Sequence, residues 1–223
     1  MQKHRNIPKA LPPFVLTYMT LCSIAAFNQG NTEFLMYAVA MLVFITILTL
    51  LHLKVRFSPT TLWLLTIWGF LHMIGGTIPI NPNIVPIDAS PVLYSYRPHP
   101  NLPRYDQLIH TLGFFSATLA CWESARVLIK AQPGIHLAIT AALMGMGLGA
   151  INEVLEFIAT LLTDTNVGGY INTGWDLVSN TIGTITAATW LLLKNQNHPT
   201  PNEHNPSDPR LNTQKTPNIG HSP

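Results

Sequence analysis

Apolar residues gather into long runs along this chain, separated by short polar turns and one long proline-rich stretch. The plainest run is "EFLMYAVAMLVFITILTLLHL", residues 33–53, where no Asp, Glu, Lys or Arg falls between Glu33 and Lys54. A helix needs about 20 such residues to cross the hydrocarbon core of a bilayer. Five further runs, at approximately 12–28, 60–77, 105–129, 134–162 and 174–194, have similar lengths. The pattern predicts an all-α fold, a polytopic transmembrane bundle of about six spanning helices within residues 1–194. The fifth run exceeds the span and must tilt, kink or protrude. Several others carry more polar residues and glycines than a lipid-facing helix would, which suits segments packed inside a bundle.

Two stretches fall outside these helices. Residues 78–104, "IPINPNIVPIDASPVLYSYRPHPNLPR", are too proline-rich for helix and read as semi-rigid extended chain, a candidate lid on the bundle or a plain connector. Residues 195–223 are rich in Pro, Asn and His with few apolar positions, so a disordered tail is expected there. Basic residues set the orientation. Lys3, Arg5, Lys9, Lys54, Arg56, Arg126, Lys130 and Lys194 share one side if the six segments alternate. The expectation is that both termini, and so the tail, lie in the cytoplasm. Residues 1–26 also combine basic residues, an apolar run and Ser23-Ile24-Ala25, as a cleavable signal would. The interspersed Thr17, Tyr18, Thr20 and Ser23 weaken that pattern, and a retained helix is preferred.

Composition narrows the field. Only 10% of the 223 residues are charged and 48% are hydrophobic, far from the roughly 25% charge of a soluble domain. The lipid bilayer is therefore the first expected partner. A net charge of +2, with no basic stretch interleaved with aromatics, gives nucleic-acid binding little support. Cys22 and Cys121 fall in apolar runs toward opposite faces and read as packing residues rather than a disulfide.

Candidate chemistry lies in the outer halves of four runs. Asp106 and His110 are one helical turn apart, as are Asp176 and Asn180. Gly69, His72 and Gly76 share a stripe, and so do Gly145, Gly149, Glu153 and Glu156. At 1.5 Å per residue His72, His110 and Asn180 lie roughly 6–9 Å inside the outer ends of their helices, and Glu153 and Glu156 roughly 9–14 Å. A charge at such depth costs at least about 2.5–3.5 kcal/mol unless it is paired, solvated or protonated. Facing stripes around an outward-opening cavity lower that cost. Each residue has a plainer alternative. Asp106 and Asp176, near helix starts, suit N-capping. His72, His110 and Asn180 suit interior hydrogen bonds, and Glu123 with Arg126 reads as a local pair. Glu153 and Glu156 are hardest to explain structurally, because neither caps an end.

These residues also carry a resemblance. "YDQLIH" (105–110), "NEVLEF" (152–157), "GWDLVSNTIG" (174–183) and "HMIGGT" (72–77) resemble the YjdF-like bacterial inner membrane proteins over most of residues 60–190. More remotely, the order of acidic, His and Asn positions is similar to VanZ-type membrane proteins. Some relatives carry an acidic residue where this chain has Asn172. The resemblance implies a polytopic inner membrane protein and no settled reaction.

Three functions stay open. The first is a metal-dependent enzyme acting on a lipid or envelope substrate, with a divalent metal as candidate cofactor. His110, Asp106, Glu153, Glu156 and Asp176 would be its ligands, and Glu153 or Glu156 the catalytic base. His72, Asp106, His110, Asp176 and Asn180 would then line a site for a small-molecule, ion or lipid ligand. The second is an ion- or proton-coupled transporter that uses the same groups as a relay. The third is a structural or interaction protein whose buried network fixes helix register. No nucleophile elbow, Walker loop, dinucleotide fingerprint or haem-attachment motif is present.

Overall fold

The computed structural model describes residues 7–85, 90–162 and 169–196. The tail expected beyond residue 194 lies almost wholly outside the described residues. Among the described residues six α-helices follow one another: α1 (Leu11–Asn28), α2 (Thr32–Val55), α3 (Pro59–Thr77), α4 (Tyr105–Leu128), α5 (Ile135–Leu162) and α6 (Tyr170–Gln196). Helices α1, α2 and α5 are long and apolar enough to cross a membrane on length and composition alone.

The other three fall short in average hydropathy because they carry the polar residues that the bundle hides. Helix α6 shows how. Asp176, Ser179, Asn180 and Thr184 are buried, while Val178, Ile182, Ile185 and Leu193 are exposed. A soluble protein arranges these the other way round, and lipid favours this one. Exposed Leu42, Val43, Ile47 and Leu50 on α2, with Leu143, Val154, Leu155 and Phe157 on α5, extend the same apolar surface.

Local sequence sets the helix ends. Asn31 caps α2 through its Oδ1, which accepts from the Phe34 N–H at 3.1 Å, while its Nδ2 donates to the Gly76 carbonyl at 3.2 Å. Gln29 donates to the Thr77 carbonyl at 2.9 Å, so the "NQGN" turn binds the last, otherwise unpaired carbonyls of α3. At the opposite end Ser58 caps α3 with Pro59 behind it. Glu123 of α4 accepts from the Ser58 N–H at 2.6 Å and from the Thr61 hydroxyl at 2.8 Å. The sequence suggests a local pair with Arg126, and in the fold this carboxylate also ties α4 to the start of α3.

Helix α4 runs through the interior, in contact with α2, α3, α5 and α6, most extensively with α6. Gly183 makes that approach close, since a Cβ there would overlap the Thr111 carbonyl of α4. Three apolar clusters fill the remaining space, one around Trp122 and Ala141, one around Tyr18 and Met73, and one around Phe57 and Leu65. Cys22 and Cys121 are buried and free, in different clusters.

Helix α6 begins four residues earlier than hydropathy suggested, at Tyr170 rather than 174. The stretch "YINT" reads as loop because it is polar. Its helical form is held by Asn172, which bonds Asp176 one turn on, Asp106 on α4 and Arg104 at the N-cap of α4. The long 78–104 connection contains two short 3-10 turns, Pro82–Ile84 and Leu93–Ser95, and Pro79 pairs with Val92.

Candidate metal centre and adjoining cavity

His110 sits among three helices. Its Nε2 lies 3.5 Å from Asp106 Oδ1, the neighbour one turn back on α4. On the far side of the ring, Nδ1 lies 3.0 Å from Asn180 Oδ1 of α6 and 3.5 Å from Glu153 Oε1 of α5. Asn180 spends its amide nitrogen on Glu153 Oε1, at 3.1 Å. Its Oδ1 therefore accepts from the Nδ1–H of His110. In the neutral ring that assignment from the hydrogen-bond network leaves Nε2, which faces Asp106, as the nitrogen free to bind a cation. Gly149 makes room for this, because a Cβ there would press on the Asn180 side chain at 3.0–3.3 Å.

Asp176 completes the Asp106 side. Asn172 Nδ2 bridges the two aspartates, 2.5 Å from Asp176 Oδ2 and 3.3 Å from Asp106 Oδ2, and Arg104 donates to Asn172 Oδ1 at 3.2 Å. Asp176 lies in the second turn of α6, and α4 is capped at Arg104, so neither aspartate is an N-cap residue. Two carboxylate oxygens stand out. Asp176 Oδ1 and Glu153 Oε2 are buried and accept no hydrogen bond among the described residues, although Asp176 is only 1% exposed and Glu153 5%. A buried oxygen left so costs about 1–3 kcal/mol, more if charged.

Two donor groups meet at His110. Single ligand atoms of Asp106, His110 and Asp176 lie within 4.8 Å of one another, and so do those of His110, Glu153 and Glu156. Donors each about 2.0–2.6 Å from a shared cation lie at most about 5 Å apart, so both groups are within reach of one ion. The ring assignment separates them. Nε2 is available on the Asp106/Asp176 side, whereas the Glu153/Glu156 side would have to take Nδ1 away from Asn180.

Asp106 and His110 also line a cavity, together with Glu33, Tyr37, His72, Tyr94 and Glu156. His72 belongs here and to neither donor group; its Nδ1 shares a hydrogen bond with the Tyr94 hydroxyl. Tyr94 comes from the proline-rich connection, and burial holds its phenol well above the usual range, with Asp106 and Glu156 pushing the same way. Glu156 is fixed by Asn152, which donates to its Oε1 at 2.7 Å.

The structure thus brings Asp106, His110, Glu153, Asp176 and Asn180 together, with His72 and Glu156 around the adjoining cavity. Sequence reasoning missed Asn172, Tyr94, Glu33 and Tyr37. Asn172 was detectable in principle, one helical turn before Asp176, and Glu33 stands at the expected outer end of α2. Nothing local marks Tyr94.

A family model described as "Predicted membrane protein (DUF2238)" matches residues 12–197. The chain belongs to this family. It is the family of the YjdF-like proteins, and the matched DUF2238 region holds all the residues of the centre and the cavity. No curated protein and no solved structure matches the chain. The DUF2238 description places these groups in a membrane protein and names no reaction.

Proposed function

We propose that Asp106, His110 and Asp176 hold a divalent cation, and that the centre serves a membrane enzyme acting on a lipid or envelope substrate. The observation that carries this reading is the unpartnered, buried Asp176 Oδ1, on a residue grouped closely with the His110 imidazole and a second carboxylate, Asp106. A cation satisfies all three groups at once. Two carboxylates and one imidazole suit zinc, manganese or iron. Asn180, holding Nδ1, plays the outer-shell part that ligating histidines ordinarily require.

Such an ion supplies Lewis acidity toward a phosphoryl or carbonyl oxygen. Glu153 and Glu156 approach His110 from α5 and serve as the base. One of them takes a proton from the attacking water as its oxygen bonds to phosphorus or carbon. The proton then passes to the leaving oxygen as the ester bond breaks, so the carboxylate is regenerated.

The sequence-based topology goes with this proposal. All six helices span, the cavity opens outward beneath the 78–104 connection, and the chain sits in a bacterial inner membrane with both termini inside. The remoter VanZ-type likeness extends to the bundle alone. A purely structural network is the competing reading, favoured by the hydrogen bonds of Asn172 and Asn180. It leaves Asp176 Oδ1 and Glu153 Oε2 without a purpose.

Thermal unfolding of chelator-treated protein tests the proposal. Adding Mn²⁺ or Zn²⁺ to wild type is expected to raise Tm saturably, by mass action on the folded state. Asp176→Asn should abolish the rise. No rise in wild type with any divalent ion would contradict the centre.

A further inference from the structure

We infer that the cavity beside the proposed centre is a recognition site for an organic ammonium group, such as an amine-bearing lipid headgroup or the corresponding free amine. The inference rests on the proposed centre only for the position of the reacting bond; the recognition argument is separate.

The lining carries it. Glu33, Asp106 and Glu156 contribute three carboxyl groups, and no Lys or Arg lines the cavity among the described residues. A cluster of rings lines the same cavity. Phe34 lies 5.2 Å from Tyr37 and 5.8 Å from Tyr94, and His72 lies 5.5 Å from Tyr37 and 5.6 Å from Tyr94, centroid to centroid. Aromatic faces attract cations through their quadrupole, and such walls are how quaternary ammonium groups are bound. Carboxylates alone would suit a hydrated metal ion. Rings alone would suit an apolar group. The two together favour a cation with carbon substituents, too weakly hydrated to need oxygen ligands on every side. An anion is disfavoured by the three carboxyl groups of the lining.

The architecture fits a substrate that enters from one side. Glu33, Phe34 and Tyr37 come from the first turns of α2, His72 from the last turns of α3, and Tyr94 from the connection that follows. The cavity is thus built at one end of the bundle. Asp106 and His110 are shared between it and the metal-binding side. A headgroup with its ammonium in the cavity would present the neighbouring ester to the centre.

Full-length protein purified in detergent, titrated calorimetrically with choline and with ethanolamine, tests this. The control is 3,3-dimethylbutan-1-ol, which has the shape of choline without its charge. Saturable binding of an amine is expected, with the neutral analogue weaker by about tenfold or more. Tyr37→Leu and Glu33→Gln should each weaken amine binding about tenfold, whereas Tyr37→Phe keeps the ring face and the affinity. Native mass spectrometry of protein extracted from mixed phosphatidylethanolamine and phosphatidylglycerol bilayers separates the sources. Binding of the free amines makes the amine itself sufficient, while selective retention of phosphatidylethanolamine alone makes the lipid headgroup the ligand. Equal binding of the neutral analogue overturns the inference, and so does the lack of both amine binding and lipid preference. Metal content of the same samples keeps the two claims apart. Amine binding without metal would sink the centre alone, and metal without amine binding would sink the recognition site alone.

Discussion

His110 is the hinge of the site because its two ring nitrogens face different chemistry. Asn180 holds Nδ1 at 3.0 Å, and Nε2 is left toward Asp106. Removing that partner should loosen the ring and its tautomer. Asn180→Ala is expected to weaken divalent-cation affinity about 10- to 100-fold, the usual cost of losing an outer-shell partner, read by competition with a chromophoric chelator. Unchanged affinity would place the ion elsewhere. Asp176 makes a prediction of opposite sign for stability. Without an ion its buried Oδ1 is a burden, so Asp176→Asn should leave the metal-free protein as stable as wild type or more stable, measured by Tm after chelation. A marked loss would favour a purely structural carboxylate.

The helices were legible because apolar runs of spanning length have few alternatives, and most expected ends fall within a few residues of those observed. Where the pattern failed, tertiary bonds decided. "YINT" is helical because Asn172 bonds Asp106 and Arg104 at the start of α4, which no periodicity reveals. The stripes of α4, α5 and α6 were readable from i,i+4 spacing, whereas the pairing of individual atoms and the place of Tyr94 were not. Helix contact also yields a test. Gly183→Ala would drive a Cβ into the Thr111 carbonyl, so α4 and α6 must separate, at about 1–3 kcal/mol. Gly147→Ala meets nothing within 4 Å, and its better helix propensity should leave stability unchanged or raise it by up to about 1 kcal/mol. Denaturant titration of the two variants side by side checks the contrast, and equal stability would mean that the close approach is absent.

At the scale of the whole molecule, apolar surface turned outward and polar groups turned inward make the bundle a membrane structure, and the site owes its chemistry to that inversion. Dry surroundings strengthen every charge interaction around His110, including any with the proposed ion. The proposed orientation is checked by labelling. Because Cys22 and Cys121 are buried, single cysteines added at exposed positions should dominate reaction with a membrane-impermeant maleimide. Asn101→Cys in the long connection should label in intact spheroplasts, and Lys54→Cys only after lysis. The reverse pattern would turn the cavity toward the cytoplasm.

Elemental analysis of protein purified without chelator tests for the proposed ion most directly. Wild type should carry stoichiometric zinc, manganese or iron. His110→Ala and Asp176→Asn should each lose it while still eluting as folded protein, and Tyr37→Leu should keep it. Wild type without stoichiometric metal, or His110→Ala with metal undiminished, would contradict the centre described here.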